Sequence, residues 1–163
     1  MAVAVTGRIV VGVDGSEGSR RALAWALEEA AVRGSVVEAV VVWQSPYDLA
    51  RNIEFSYPVD EGRLVERASE RLTETVAETV AETAAETAAV EVEPIVLEGD
   101  PAEALCARAA EADMLVVGSH GRGPVSGLLI GSVGTACAQH CLRPVVIVPS
   151  RRLMEAPATP APA

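Results

Sequence analysis

Gly118-Ser-His-Gly121-Arg-Gly-Pro-Val-Ser-Gly-Leu-Leu-Ile-Gly131-Ser132 is the stretch on which the reading of this chain turns. It follows a short apolar run, Met114 to Val117, and leads into a helical pattern that starts at Ser132. Glycine lacks a Cβ, tolerates positive φ and lets a backbone come close to a ligand, so such a loop can aim several N–H groups at one anion. A helix N-terminus behind the loop adds unpaired donors and the positive end of the peptide dipole. Together these are the requirements for holding a phosphate group. The spacing is specific: glycine, two residues, glycine, nine residues, then Gly-Ser.

Outward from this loop the chain alternates strand and helix. Arg8 to Val13 is a continuous, β-branched apolar run of the kind buried on both faces of a parallel sheet. Asp14-Gly-Ser16 turns the chain, and either Ser16 or Asp14 can cap a helix over Glu17 to Arg33, which Gly34 stops. Ala22, Leu23, Ala26, Leu27 and Ala30 form its apolar face. Val36 to Trp43 is a second strand, interrupted only by Glu38, and Gln44 to Asp60 reads as a long surface loop. Val90 to Leu97, alternating with glutamate and carrying Pro94, predicts a strand near the sheet edge. Asp100-Pro101 opens a helix to about Ala112 with Ala104, Leu105 and Ala109 inward. Asp113 to Gly118 is a fourth strand, Ser132 to about His140 a helix, and Pro144 to Val148 a fifth strand.

Between the second and third strands, Glu61 to Ala89 is helical by propensity and repeats Glu-Thr-Val-Ala and Glu-Thr-Ala-Ala. Its apolar column, Leu64 to Ala88, and its glutamate column, Glu66 to Glu86, both recur every four residues. A period of four drifts by about 40° per step against 3.6 residues per turn, so neither column stays on one face. The expectation is an exposed helix that frays toward Ala89, with a solvated acidic column.

Composition narrows the function classes. The length suits one domain over residues 1–149, and the Pro/Ala-rich stretch 150–163 reads as a disordered tail. A net charge of −10 disfavours nucleic acid and anionic membrane surfaces as partners. The chain contains no lysine, which excludes a P-loop of the GxxxxGK[ST] type. Phosphate binding must therefore use backbone amides, hydroxyls and arginine. Met1 to Gly7 is too short and uncharged for a signal peptide, and no apolar run approaches the roughly 20 residues that span a bilayer. Cys106, Cys137 and Cys141 sit in apolar contexts and give no disulfide framework, so a reduced, cytoplasmic protein is expected. Cys137-Ala-Gln-His140-Cys141 lacks a second ligand pair and reads as buried free cysteine, so no metal site is assigned.

The phosphate-type loop, the strand-one Val-Gly-Val-Asp14-Gly-Ser and the closing Arg143-Pro144-Val-Val-Ile-Val resemble the ATP-binding branch of the universal stress protein family, over about residues 6 to 149. The alternation itself implies an α/β fold with a mainly parallel sheet. The resemblance implies a three-layer sandwich with strand order 3-2-1-4-5, of the adenine nucleotide alpha hydrolase-like kind. In that order the connections reverse between strands one and four, where ligands bind outside the strands' carboxyl ends. Asp14 and Gly118 both end there.

By resemblance, Gly118, Gly121, Gly131 and Ser132 occupy the phosphate-loop positions, and Asp14 approaches base and ribose, although capping alone would also explain it. Gly12 and Val13 line the same wall, and Val42 faces the adenine. Ser119, Arg122 and Val133 sit where side chain, guanidinium or backbone can add contacts, and His120 and Gly123 belong to the same loop. No GxSxG or paired-carboxylate arrangement accompanies His120, so no catalytic residue is assigned. The implied function is binding of ATP or a related adenine nucleotide, with Mg²⁺, for sensing or signalling in stress. A slow ATP hydrolase or phosphotransferase, or a dimeric module with an empty pocket, are the alternatives. The resemblance also implies a homodimer through residues 145–148, whose apolar strand would otherwise be an exposed edge.

Overall fold

The computed structural model describes residues 7–49, 58–121 and 130–150. Ten elements run in the order β1 (Gly7–Gly12), α1 (Glu17–Arg33), β2 (Ser35–Trp43), α2 (Pro46–Leu49), α3 (Glu61–Thr87), β3 (Val92–Glu98), α4 (Pro101–Ala109), β4 (Met114–Gly118), α5 (Ser132–His140) and β5 (Val145–Val148). The five strands form one sheet of order β3-β2-β1-β4-β5, and every neighbouring pair is parallel. Parallel strands covered on both faces have no polar side to present, which is why β1 and β4 read as unbroken apolar runs. Alternation along those strands sends Ile9, Val11 and Val116 to one layer, with α1 and α3, and Val10, Leu115 and Val117 to the other, with α4 and α5.

Helix ends follow the local chemistry. Ser16, rather than Asp14, caps α1, its side chain accepting the Ser19 N–H, and Gly34 ends α1 at φ 66°, where its N–H reaches the Ala30 carbonyl. Asp60 caps α3 through the Arg63 N–H, and Asp100 caps α4 through Ala102 and Glu103. α4 ends at Ala109, three residues short of the expected boundary. The expected surface loop over 44–60 contains the short helix α2, and its part over 50–57 lies outside the described residues.

Two expectations are corrected. α3 is continuous to Thr87 and packs one face inward instead of lying exposed. The four-residue period does drift, but as the apolar column rotates out, the threonine column rotates in. Leu72, Thr75, Thr79 and Thr87 are buried, Val76 and Val80 are half-buried, and Ala84 and Ala88 are exposed. Threonine tolerates this burial because its hydroxyl bonds the carbonyl four residues back, as Thr79 does to Thr75 at 2.8 Å and Thr87 to Thr83 at 3.0 Å. The described glutamates of the acidic column, Glu66 to Glu82, stay in solvent. Second, Ser150 is not the start of a loose tail. It is buried and donates its N–H to Ser119 Oγ at 2.9 Å. The rest of the expected tail, 151–163, lies outside the described residues.

Glu38, the one interruption in β2, is fully buried on the α4 side of the sheet. Arg108 of α4 grips it with a fork, Nε to Oε2 at 2.6 Å and Nη2 to Oε1 at 2.8 Å, and Arg8 of β1 donates a third bond. Burial pushes the carboxyl up, but the hydrogen bond and charge of Arg108, with the charge of Arg8, outweigh it and hold the carboxyl below its ordinary value. A depressed carboxyl stabilises the fold above about pH 4.3 and loses that contribution as pH falls through its lower folded value. Glu38→Gln should therefore cost about 1–3 kcal/mol at pH 7. The loss stays modest because the arginine side chains, 42% and 38% exposed, recover solvent. In urea unfolding, the gap between wild type and variant should narrow toward pH 3. A gap that does not vary with pH would contradict the assignment.

Candidate functional site

At the carboxyl end of β1 the chain turns through Asp14 into α1. Asp14 Oδ1 accepts the Ser16 N–H at 2.9 Å, and the Asp14 N–H reaches Ser19 Oγ at 3.3 Å. Ser19 Oγ in turn donates to the Ser16 carbonyl at 3.0 Å. These bonds fix both the helix N-terminus and the aspartate. The other carboxylate oxygen, Oδ2, faces the phosphate-type loop, where a Cβ placed on Gly121 would lie 2.6 Å from it. Only glycine fits at 121 without displacing the carboxylate.

The loop is joined to α1 by backbone contact. A Cβ on Gly118 would lie 2.6 Å from the Gly18 carbonyl carbon, and a Cβ on Gly18 would lie 2.4 Å from the His120 oxygen. Gly118 thus serves close helix–strand packing. Among the described residues only Gly15, Gly34 and Gly99 have positive φ, so the loop glycines at 118 and 121 are there for close approach. Gly131, at φ −70°, is the N-cap of α5 and has no side chain to satisfy that helix's first amides.

Ser119 closes the neck of the loop. Its N–H donates to the Val148 carbonyl at 2.8 Å, and its own carbonyl accepts the Gly131 N–H at 2.6 Å. Its hydroxyl accepts the Ser150 N–H and lies 3.1 Å from His120 Nδ1. One residue, 2% exposed, therefore ties the ends of β4, β5 and α5 together.

These pieces enclose a cleft of about 190 Å³. Gly12, Val13, Asp14 and Val42 line its β1–β2 side, Gly118, Ser119, His120 and Gly121 its β4 side, and Gly131, Ser132 and Val133 its α5 side. Arg122 and Gly123 lie outside the described residues. Sequence reading missed Ser16 and Ser19 as lining groups, together with Val40, Pro101, Leu105, Val117 and Gly134. Val40 shares the parity of Val42 along β2, and the Ser16–Ser19 pair has capping spacing, so both were open to detection. Gly18, packed beneath the loop, left no signal beyond being a glycine in a first helical turn. The ionisable groups among the described lining residues are Asp14 and His120. A separate cavity of about 230 Å³ lies on the α3 side of β1 and β2, between Val13, Trp43, Arg71 and Leu72. Cys137 is fully buried in the α4–α5 layer with Cys106 and Cys141 against it, and among the described residues no group is arranged to hold a metal.

A parallel α/β sheet in this order, with a glycine-lined cleft where the connections reverse, defines the class of protein. Residues 6–149 match the sequence profile of the universal stress protein family. The chain belongs to that family, whose members are stress-response proteins. Universal stress protein Rv2623 of Mycobacterium tuberculosis is 35% identical over 143 residues, a match that takes in 85% of this chain and 44% of Rv2623. The chain therefore spans less than half the length of that relative. Among solved structures, a universal stress protein in complex with cAMP is 26% identical with a TM-score of 0.54, over 89% of this chain and 98% of that one. The universal stress protein of Archaeoglobus fulgidus in complex with dAMP is 26% identical with a TM-score of 0.57, over 88% and 98%. No described helix is long and apolar enough to cross a membrane.

Two glycines of the loop should separate by their neighbours. Gly118→Ala drives a methyl into the backbone of residue 18 and should cost about 1–3 kcal/mol of stability with no ligand present. Gly131→Ala places its methyl 3.3 Å from the Ser119 oxygen, a contact that a few tenths of an ångström relieve, so its cost should be smaller. Urea denaturation of both variants checks the order. Equal stabilities would contradict the packing role of Gly118.

Proposed function

We propose that the cleft binds an adenine nucleotide, with ATP as the ligand the loop spacing fits, and that occupancy is the signal the protein delivers in stress. The observation that carries this reading is the convergence of two helix N-termini, α1 and α5, on one glycine-lined crevice beside Asp14. Unpaired first-turn amides favour anions, and a carboxylate accepts ribose hydroxyl hydrogens. Val40, Val42 and Leu105 supply an apolar wall suited to a purine. The solved relatives with cAMP and dAMP support the adenosine part of the ligand.

In this reading Gly131 and Ser132 with the α5 amides receive the phosphates, Ser119 and His120 hold the loop's neck, and Arg122 adds a guanidinium. The chain's lack of lysine leaves neutralisation to arginine and to Mg²⁺. The donor set suits a magnesium ion carried in by the nucleotide, since hydroxyls and the Asp14 carboxylate are oxygen ligands of the kind it takes. Hydrolysis is slow or absent, and a cytoplasmic location follows the same reading. Gly131→Lys should abolish ATP binding in calorimetry, and Ser132→Ala should weaken it by about 0.5–3 kcal/mol. Unchanged affinity in Gly131→Lys would sink the site. Mg²⁺-dependent turnover above a few per minute would shift the reading to an ATP hydrolase.

The same proposal includes a homodimer through β5. Val145 to Ile147 are half-buried, and no described strand pairs their outer edge. The Pro144 and Val148 carbonyls accept from Leu115 and Ser119, so by alternation the Ile147 amide points outward. An antiparallel two-fold pairing would use that edge on both subunits and leave none exposed. Ile147→Pro removes an outward donor while sparing the β4 ladder, and light scattering should then report the monomer's mass where the wild type gives twice that. A wild type of monomer mass at micromolar concentration would contradict the dimer.

A further inference from the structure

Behind the cleft, α4 and α5 bring together the three cysteines of the chain, which the nucleotide reading does not use. Cys137 is fully buried in the α4–α5 layer; Cys106 and Cys141 pack against that same layer and are half-buried. Cys106 is near enough to both others that their thiols reinforce the rise in its pKa. Cys106 follows Leu105, a wall of the cleft, and Cys141 is the C-cap of α5, whose first turn forms the opposite wall. One hand of the cluster thus belongs to each helix that borders the site.

We propose that Cys106 and Cys141 are a peroxide-responsive pair that closes to an intrachain disulfide, joining α4 to α5 behind the cleft. The proposal stands on the cysteine cluster and is independent of which ligand the cleft takes.

Access and ionisation set the order of events. Cys137 has no exposed surface and cannot meet a solute from water. Burial, reinforced by the neighbouring thiols, pushes Cys106 up to about 12, so it is not the first nucleophile. Cys141, flanked by the exposed His140 and Leu142, attacks first: its sulfur takes one peroxide oxygen, the O–O bond breaks, and a sulfenic acid forms as hydroxide leaves and is protonated to water. The Cys106 sulfur then attacks the Cys141 sulfur, giving up its proton as the S–O bond breaks and a second water leaves. Two thiols and one peroxide become one disulfide and two waters. Cys106 is slow as a free nucleophile, but its place in the same packed layer raises its effective concentration at the sulfenic sulfur, which offsets its low thiolate fraction.

The experiment is peroxide treatment of the folded full chain, followed by alkylation and peptide mapping. The expected result is one bridge between the peptides of Cys106 and Cys141, with Cys137 still a thiol, and a higher Tm that reverts on reduction. Cys106→Ser should instead leave a Cys141 sulfenic acid that dimedone traps, and Cys137→Ser should still form the bridge. Because the mapping is done on the wild type, the proposal does not depend on either variant folding. Three intact thiols at peroxide levels that oxidise a small-molecule thiol, a bridge between two chains, a bridge that uses Cys137, or Cys141 over-oxidised without a bridge would each overturn it.

Discussion

The contact between the backbones of Gly18 and Gly118 is the constraint on which the site depends. α1 starts close to the end of β4 only because neither residue carries a Cβ; a methyl on Gly118 would sit 2.6 Å from the Gly18 carbonyl carbon. That approach places the His120 carbonyl over the first turn of α1 and Gly121 against Asp14. Ser119 then holds Gly131 to the same neck, so the N-terminus of α5 arrives beside that of α1. Two helix dipoles point into one crevice as a consequence of one backbone contact. The sheet's strand order supplies the coarse placement, and the glycine pair supplies the last few ångströms.

Around this point the fold buries polar groups only where the partner is built in. Glu38 lies in a layer of valine and leucine, and it is tolerated because arginines from β1 and α4 converge on it. Thr79 and Thr87 of α3 reach the core because each bonds its own helix one turn back. Ser119 and Ser150 satisfy one another at the junction of β4 and β5. In each case a residue type usually found at the surface does a packing job, and no described buried side-chain polar atom is left without a partner.

Much of the architecture was legible because local signals agreed. The bounds of α1 could be read from Ser16 and Gly34, and the start of α4 from Asp100-Pro101, since capping chemistry is local. β1, β2 and β4 were legible as apolar runs, and eleven described residues of the expected site do line one cleft. What was not legible depended on distant partners. Glu38 reads as a break in a strand until Arg108, 70 residues on, is placed beside it. α3 reads as an exposed helix when each column is followed separately; the inward face becomes visible only when the threonine column is allowed to take over from the apolar one. Gly18 gives no sign of its role, because the contact that requires glycine belongs to another strand. The loop glycines were read partly as positive-φ positions, whereas Gly118 and Gly121 owe their identity to crowding.

The central claim is that the crevice at the β1–β4 reversal, and not another surface, takes an adenine nucleotide. Titration of the isotope-labelled protein with ATP and Mg²⁺, followed by amide chemical shifts, tests it most directly. The account predicts saturable shifts at Gly12 to Asp14, Gly118 to Gly121 and Gly131 to Gly134, with the Ser150 amide following through Ser119. Absence of saturable shifts, or shifts confined to the separate cavity around Trp43, Arg71 and Leu72, would contradict it.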